Sequence, residues 1–425
     1  MVKKKNKFAN YRLLPLGEVG RGFFFIFFIV FFISCKKEKP PSTPGLISGA
    51  QNLCPGETGV VFSIDAVEFS TYYLWTVPED AQIISGQGTT SIVITFGKKS
   101  GSICVRSNNN KEVSDASCIE VHQGGVSNTW CRQLDFNAGA RTEAVGFSIG
   151  NKGYIGTGID FTAGQHNDFW EFDPALNEWT QKADFGGIPR FDAVGFSIGN
   201  KGYIGTGYIG TAYLKDFWEY NPASNLWLQK ADCGDVPRGF AFSFSIGNKG
   251  YVGSGSDGLI STRKDLLEYD PDLNQWTQKD TIVPRNVGVG FSIGNKGYLG
   301  CGTNGGTNYN DFWEFDPADS SNGFDVNNNP LGKWTQKASF PGASRYAAVG
   351  FSINNKGYIG TGYDGNLNYK DFFEFDPVSN TWAQKADFPG ETRSYSIGFA
   401  IQKNGYIGIG NNGNGSLSDF WVYGQ

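Results

Sequence analysis

Residues 190–227 read RFDAVGFSIGNKGYIGTGYIGTAYLKDFWEYNPASNLW, and near copies of this stretch begin at Arg141, Arg238, Arg285, Arg345 and Arg393. Successive arginines stand 49, 48, 47, 60 and 48 residues apart. A near-constant period of this size marks a fold made by stacking one unit on the next. Each copy divides into four strand-like pieces, here 193–198, 201–207, 216–220 and 227–231. They are short, rich in aromatic and aliphatic residues, and bounded by Gly, Asn, Asp or Pro, as strands joined by tight turns are. No stretch beyond residue 45 keeps a helical period.

A four-stranded antiparallel unit of 47 to 60 residues, repeated six times, predicts an all-β, six-bladed β-propeller. The chain ends support this. The sixth copy stops after Asp419–Tyr423 without a fourth strand, and a spare one lies upstream, where Trp130 precedes Arg141 by the offset that separates Trp179 from Arg190. Pairing that N-terminal strand with the last three would latch the ring and remove its exposed edges.

The 425 residues are 39% hydrophobic and 18% charged, ordinary for a globular chain, while 59 glycines and 15% aromatic residues suit short packed strands. A net charge of −5 gives no nucleic-acid signature. The N-terminus carries Lys3, Lys4, Lys5, Lys7, Arg12 and Arg21 ahead of FFFIFFIVFFIS (23–34), which runs into Cys35. Twelve apolar residues are too few to span a bilayer and fit the core of a secretory signal. Phe-Ile-Ser before Cys35 resembles a bacterial lipobox, with Phe32 where leucine is more usual, which implies that Cys35 is lipidated. The expectation is therefore an outer-membrane lipoprotein, periplasmic or surface-facing, with a signal peptide over 1–34 and a polar tether over 35–44.

Residues 45–123 do not share the repeat and read as a small β-sandwich, with strands in 71–78, 91–97 and 102–107. Cys-Pro-Gly at 54–56, the run from Tyr73 to Pro78 and the run GQGTTSIVITFG (86–97) resemble PKD-like immunoglobulin-type domains, which implies a spacer. Cys54, Cys104 and Cys118 allow three disulfide pairings. Cys131, Cys233 and Cys301 sit at unlike repeat positions and read as small buried residues.

The propeller, 127–425, resembles the kelch family in its opening arginine, its Tyr203 before Gly205 and Gly207, its Asp173–Pro174 step and its Trp179. Gly-Thr-Gly stands here for the family's adjacent glycines. Asn200–Lys201–Gly202 is expected to make the hairpin turn, and the tryptophans to fill space between blades. Gly205-Thr-Gly207-Tyr-Ile-Gly210 satisfies G-x-G-x-x-G, but a strand follows instead of the helix a dinucleotide site needs.

Because strands alternate direction, the near-identical Gly-Asn-Lys turns share one face, and the loops after each Gly-Thr-Gly, which have little in common, share the other. Unlike loops on a rigid scaffold are how binding sites are commonly made. The candidate ligand-binding residues are Phe161, His166, Phe191, Tyr208, Tyr213, Phe240, Tyr309, Tyr346, Tyr363, Tyr369 and Tyr395. The six arginines are matched by Asp168, Asp216, Asp265, Asp311, Asp371 and Asp419, which favours pairing inside the scaffold. The only large insertion, 318–333, brings Asp319, Asn322, Asp325 and Asn327, without the spacing of a calcium loop.

The kelch resemblance admits copper oxidases and sialic acid epimerases, but a copper site needs imidazoles and the propeller has only His166. No metal, no cofactor and no catalytic residues are expected. The sequence favours a monomeric, lipid-anchored, non-catalytic binding protein of the cell envelope that presents its variable face to a glycan or protein partner, with no role for nucleic acid. The alternative is a carbohydrate-active enzyme, epimerase- or lyase-like, at the channel mouth. Shifted carboxyl pKa values in the pocket would favour the enzyme.

Overall fold

The computed structural model describes residues 39–424 apart from 55, 110, 124–127 and 259–261. Cys35 and the signal segment lie outside the described residues. Among the described residues there are strands and turns but no helix.

Six blades surround a channel. Blade 2 comprises Val194–Ile198, Lys201–Gly205, Phe217–Asn221 and Leu226–Lys230, paired in that order and antiparallel throughout. Blades 1, 3, 4 and 5 repeat it. Blade 6 takes Ile397–Ile401, Asn404–Asn411 and Ser416–Gly424 from the C-terminus. Thr129–Arg132 runs along its outer edge, where Asn128 N donates to Gly424 O at 2.8 Å and Gln133 N to Phe420 O at 2.8 Å. The ring is thus latched by its first strand.

Alternation decides what is buried. In Val194–Ile198, residues 194, 196 and 198 are buried and 195 and 197 less so. The buried face packs on the neighbouring blade, so each core belongs to two blades; Val145, Phe147, Tyr154 and Phe169 of blade 1 meet Ile204 and Tyr220 of blade 2. Hairpin geometry departs from the sequence reading. The turn is Gly199–Asn200, since Ile198 pairs with Lys201. Gly199 has φ +58°, the left-handed conformation that the first residue of a two-residue hairpin needs. Gly202 lies within the strand, where a Cβ would stand 2.5 Å from a ring carbon of Phe147 in blade 1. The tryptophans tie blades as well as fill space, Trp227 Nε1 donating to Ala183 O at 3.0 Å.

The six repeat arginines are buried and paired. Arg190 donates through both Nη atoms to Asp216, at 2.6 and 2.7 Å, and from Nη1 to Thr206 O at 2.8 Å. The other five blades form the same pair, with every arginine at most 1% exposed. Burial raises the Asp216 pKa, but the hydrogen bond and charge of Arg190 outweigh it and hold this carboxyl below its ordinary value.

Each arginine also fixes a strained residue. Thr206 and its counterparts Thr157, Ser254, Cys301, Thr361 and Ile409 have φ between +51° and +60°. A β-branched residue rarely adopts such a φ without outside support. Here Arg Nη1 takes the carbonyl in all six blades.

The sandwich packs one sheet of Asn52–Leu53, Ser117–Gln123, Gly101–Asn108 and Tyr72–Thr76 against another of Thr58–Ser63, Ser91–Thr95 and Gln82–Ser85. Trp75, Phe62, Ile92 and Val105 are in its core. Pro41 and Pro44 are buried, and Ser107 Oγ donates to Ser42 O at 2.5 Å, so packing begins within the stretch read as tether. Cys104 is bridged to Cys118 on the adjacent strand. Cys131, read as a free buried residue, is instead bridged to Cys54, 77 residues away. The period could not reveal this, because Cys131 lies in the latch strand and its partner lies outside the repeat. Cys233 and Cys301 are free and buried.

Breaking a buried ion pair from one side strands the other charge, at a cost of about 3–5 kcal/mol. Asp216→Asn is expected to destabilise the protein by about 3 kcal/mol in urea unfolding. A loss below about 0.5 kcal/mol would show that the pair does not support the fold.

Candidate functional site

Two residues past each repeat arginine the backbone turns left-handed again, at Glu143, Asp192, Phe240, Val287, Ala347 and Tyr395, with φ between +49° and +59°. Each of the six donates its N–H to the carbonyl of its counterpart in the preceding blade. The sequence runs Asp192 to Glu143 (3.1 Å), Phe240 to Asp192 (3.2 Å), Val287 to Phe240 (2.8 Å), Ala347 to Val287 (3.1 Å), Tyr395 to Ala347 (3.0 Å) and Glu143 to Tyr395 (3.2 Å). This closed hydrogen-bond ring pairs the N–H and the C=O of all six residues around the mouth. A cavity of about 190 Å³ lies within the ring, walled by the first strands.

The side chains of these six residues are unequal. Glu143 and Asp192 carry carboxyls that hydrogen-bond each other. Burial raises the Glu143 pKa, partly offset by its bond to Asp192. Burial and then the charge of Glu143 raise Asp192 well above the ordinary carboxylate range. Like charges this close cannot both ionise cheaply, so ionising either carboxyl disfavours ionising the other. Asp192 is 8% exposed and its Oδ2 has no hydrogen-bond partner. Tyr395 stands beside them, its pKa raised by burial and then by Asp192 and Glu143.

Outside the ring, over blades 5, 6 and 1, opens a cavity of about 700 Å³. Glu143 and Tyr395 form part of its floor, Phe161, Tyr346 and Tyr363 supply aromatic surface, and Asn366, Asn368, Asn411, Asn412 and Asn414 supply amides. The Tyr346 ring lies 5.6 Å from that of Tyr363 and 6.3 Å from that of Tyr395, both edge to face. Phe161 is 67% exposed.

Of the residues singled out from sequence, Phe161, Tyr346, Tyr363 and Tyr395 therefore meet in one cavity. Phe191, Tyr208, Tyr213 and Phe240 form a second aromatic cluster over blades 2 and 3, with Tyr208 4.6 Å from Tyr213. Tyr309 and Tyr369 lie elsewhere. They cover the guanidinium groups of Arg285 and Arg345 at 4.9 and 4.0 Å, and Tyr369 Oη donates to Asp364 at 2.6 Å. His166 is partly buried, its pKa lowered by burial and then by Arg141, and its Nε2 has no partner. The insertion is held by structure of its own, since Lys279 Nζ donates to Asp325 at 2.7 Å with both side chains 2% exposed. Among the described residues no group of three His, Cys, Asp or Glu is placed to hold a metal ion.

Sequence reasoning passed over Glu143 and the chemistry of Asp192. Their shared signal is the position two past each arginine, where acids occur in only the first two of six copies. Spacing cannot show that those neighbouring blades bring the two carboxyls together.

The molecule is thus a six-bladed β-propeller preceded by a small β-sandwich. Residues 40–121 match the family model of the PKD-like domain. The solved structure of YjhT aligns over 68% of this chain and 95% of its own, with 17% identity and a TM-score of 0.57. At that identity the likeness is one of fold. No curated protein matches the sequence.

An acid whose folded pKa is raised contributes stability that is complete below its unfolded pKa, near 4, and is lost as pH rises toward the folded value. Glu143→Gln and Asp192→Asn remove this loss. Each is expected to match the parent in melting temperature at pH 3.5 and to exceed it at pH 7 by roughly 2 °C or more. Equal melting curves at pH 7 would mean that the carboxyls are not held against ionisation.

Proposed function

We propose that the protein is a non-catalytic binding protein of the cell envelope, and that its kelch-type repeat is a scaffold holding a glycan at the cavity over blades 5, 6 and 1. The observation that carries this is the lining itself, with aromatic rings from three blades set among side-chain amides above a carboxyl floor. Aromatic faces stack on the apolar faces of sugar rings, and amides and carboxyls answer their hydroxyls. The sandwich serves as a spacer, and two disulfides suit an oxidising compartment. A lipid on Cys35 would fix the protein to the outer membrane.

One observation favours the enzymatic reading, namely the raised carboxyl pair, since a carboxyl held well above its ordinary pKa range is suited to serve as a general acid. Its geometry argues against glycoside cleavage. Hydrolases hold their two carboxyls about 5 Å or more apart to flank the scissile bond, whereas these two are hydrogen-bonded to each other.

The test is an oligosaccharide array followed by calorimetry on the protein and on Tyr363→Ala and Phe161→Ala. Saturable binding is expected, with a loss of about tenfold or more in each variant. Binding that survives both substitutions would place the ligand elsewhere. The protein is also expected in the membrane fraction, with Cys35→Ala released from it; equal partitioning of the two would rule out the anchor.

A further inference from the structure

The charge balance of the mouth narrows the ligand class further, and this step rests on the glycan reading above. Every repeat arginine is buried and committed to its aspartate. Among the described residues lining the 700 Å³ cavity there is no Lys, Arg or His, and the ionisable acid among them is Glu143. Glu143 also lines the 190 Å³ cavity within the ring, and there it adjoins Asp192, whose Oδ2 is buried without a hydrogen-bond partner. The rim adds Asp364, bonded to Tyr369, and Glu391, bonded to Asn412. Tyr395 faces the pair with Tyr346 and Tyr363 next to it, and none of the three is a cation at any pH.

An anionic sugar would meet these carboxyls without a counter-charge. A neutral sugar would leave the carboxyl charge unpaired in a half-buried site. A protonated amine answers both problems. It brings hydrogen-bond donors to the orphaned oxygen and a positive charge to the pair, within reach of the three tyrosine rings around it. A buried polar atom without a partner calls for an explanation, and here the missing partner is a donor.

We propose that the cavity recognises amino sugars carrying a free amine, with the ammonium seated on Glu143 and Asp192 and the sugar ring lying against Tyr363 and Phe161. Burial disfavours the ionised form of both carboxyls and a seated cation favours it, so protons held by the pair leave to solvent as the ammonium arrives. Binding is therefore coupled to proton release. N-acetylation of the amine removes the charge and with it the preference.

The test is calorimetry on the full-length protein at pH 6 with four tetrasaccharides, namely β-1,4-linked glucosamine, its fully N-acetylated counterpart, cellotetraose and tetragalacturonate. Two buffers of different ionisation heat give the proton count. The expected result is glucosamine tetramer binding about tenfold tighter than cellotetraose, tetragalacturonate weakest, and a net release of protons with the glucosamine tetramer alone. Glu143→Gln and Asp192→Asn, neutral and near-isosteric, are expected to fold and to lose both the preference and the proton release. Equal affinity for glucosamine and cellotetraose tetramers, or tighter binding of the acetylated or acidic tetramer, would overturn the inference and leave the glycan reading standing. Absence of binding by all four would also overturn the inference, and the glycan reading would then stand or fall on the array.

Discussion

A buried charge is tolerated only when it is paired and its hydrogen bonds are met, and this propeller meets that constraint six times. Each repeat arginine gives both Nη groups to an aspartate at the head of the third strand and a further bond to the carbonyl between two glycines. In four blades a tryptophan indole also donates to that aspartate. One guanidinium thus joins the approach to the first strand, the end of the second and the start of the third. The left-handed residue between the glycines is held in place by the same bond, so the strain and its compensation are a single local unit. Removing either charge would leave the other desolvated, which is why the pair recurs without substitution within the chain.

With the inner ends fixed, the mouth is free to vary. The hydrogen-bond ring around the channel satisfies the backbone whatever side chains it carries, and those side chains range from Ala347 to Tyr395. The repeat enforces the scaffold, and the binding proposed for this protein would fall to the unrepeated residues around the mouth. Glu143 and Asp192 are the clearest case of the second. Burial beside each other disfavours their ionised forms, so the scaffold gains nothing from them near neutrality. Groups that weaken a fold and gather in a cavity are more readily understood through what they bind.

Much of this was legible in residues alone. Arg190 and Asp216 recur together, so their pairing followed from matched counts, and the missing fourth strand of the last repeat pointed to Thr129–Arg132 as the latch. Local rules misplaced the hairpin, because Asn200–Lys201–Gly202 has turn composition while strand register puts the turn at Gly199–Asn200 and uses Gly202 to admit Phe147. The Cys54–Cys131 bridge joins the sandwich to the latch, a contact that no periodicity encodes. Aromatic residues in variable loops are placed in different surroundings. Tyr363 and Tyr346 reached the cavity, whereas Tyr309 and Tyr369 were taken up as covers for buried arginines, a distinction that needs three-dimensional placement.

The central claim is that the repeat makes the scaffold and the unrepeated mouth over blades 5, 6 and 1 makes the site. A crystal structure of the protein soaked with an oligosaccharide that binds it tests this most directly. The account predicts sugar density against Tyr363 and Phe161 with a polar group directed at Glu143. Density on the opposite face, among the near-identical hairpin turns, or over the Tyr208–Tyr213 cluster would contradict it.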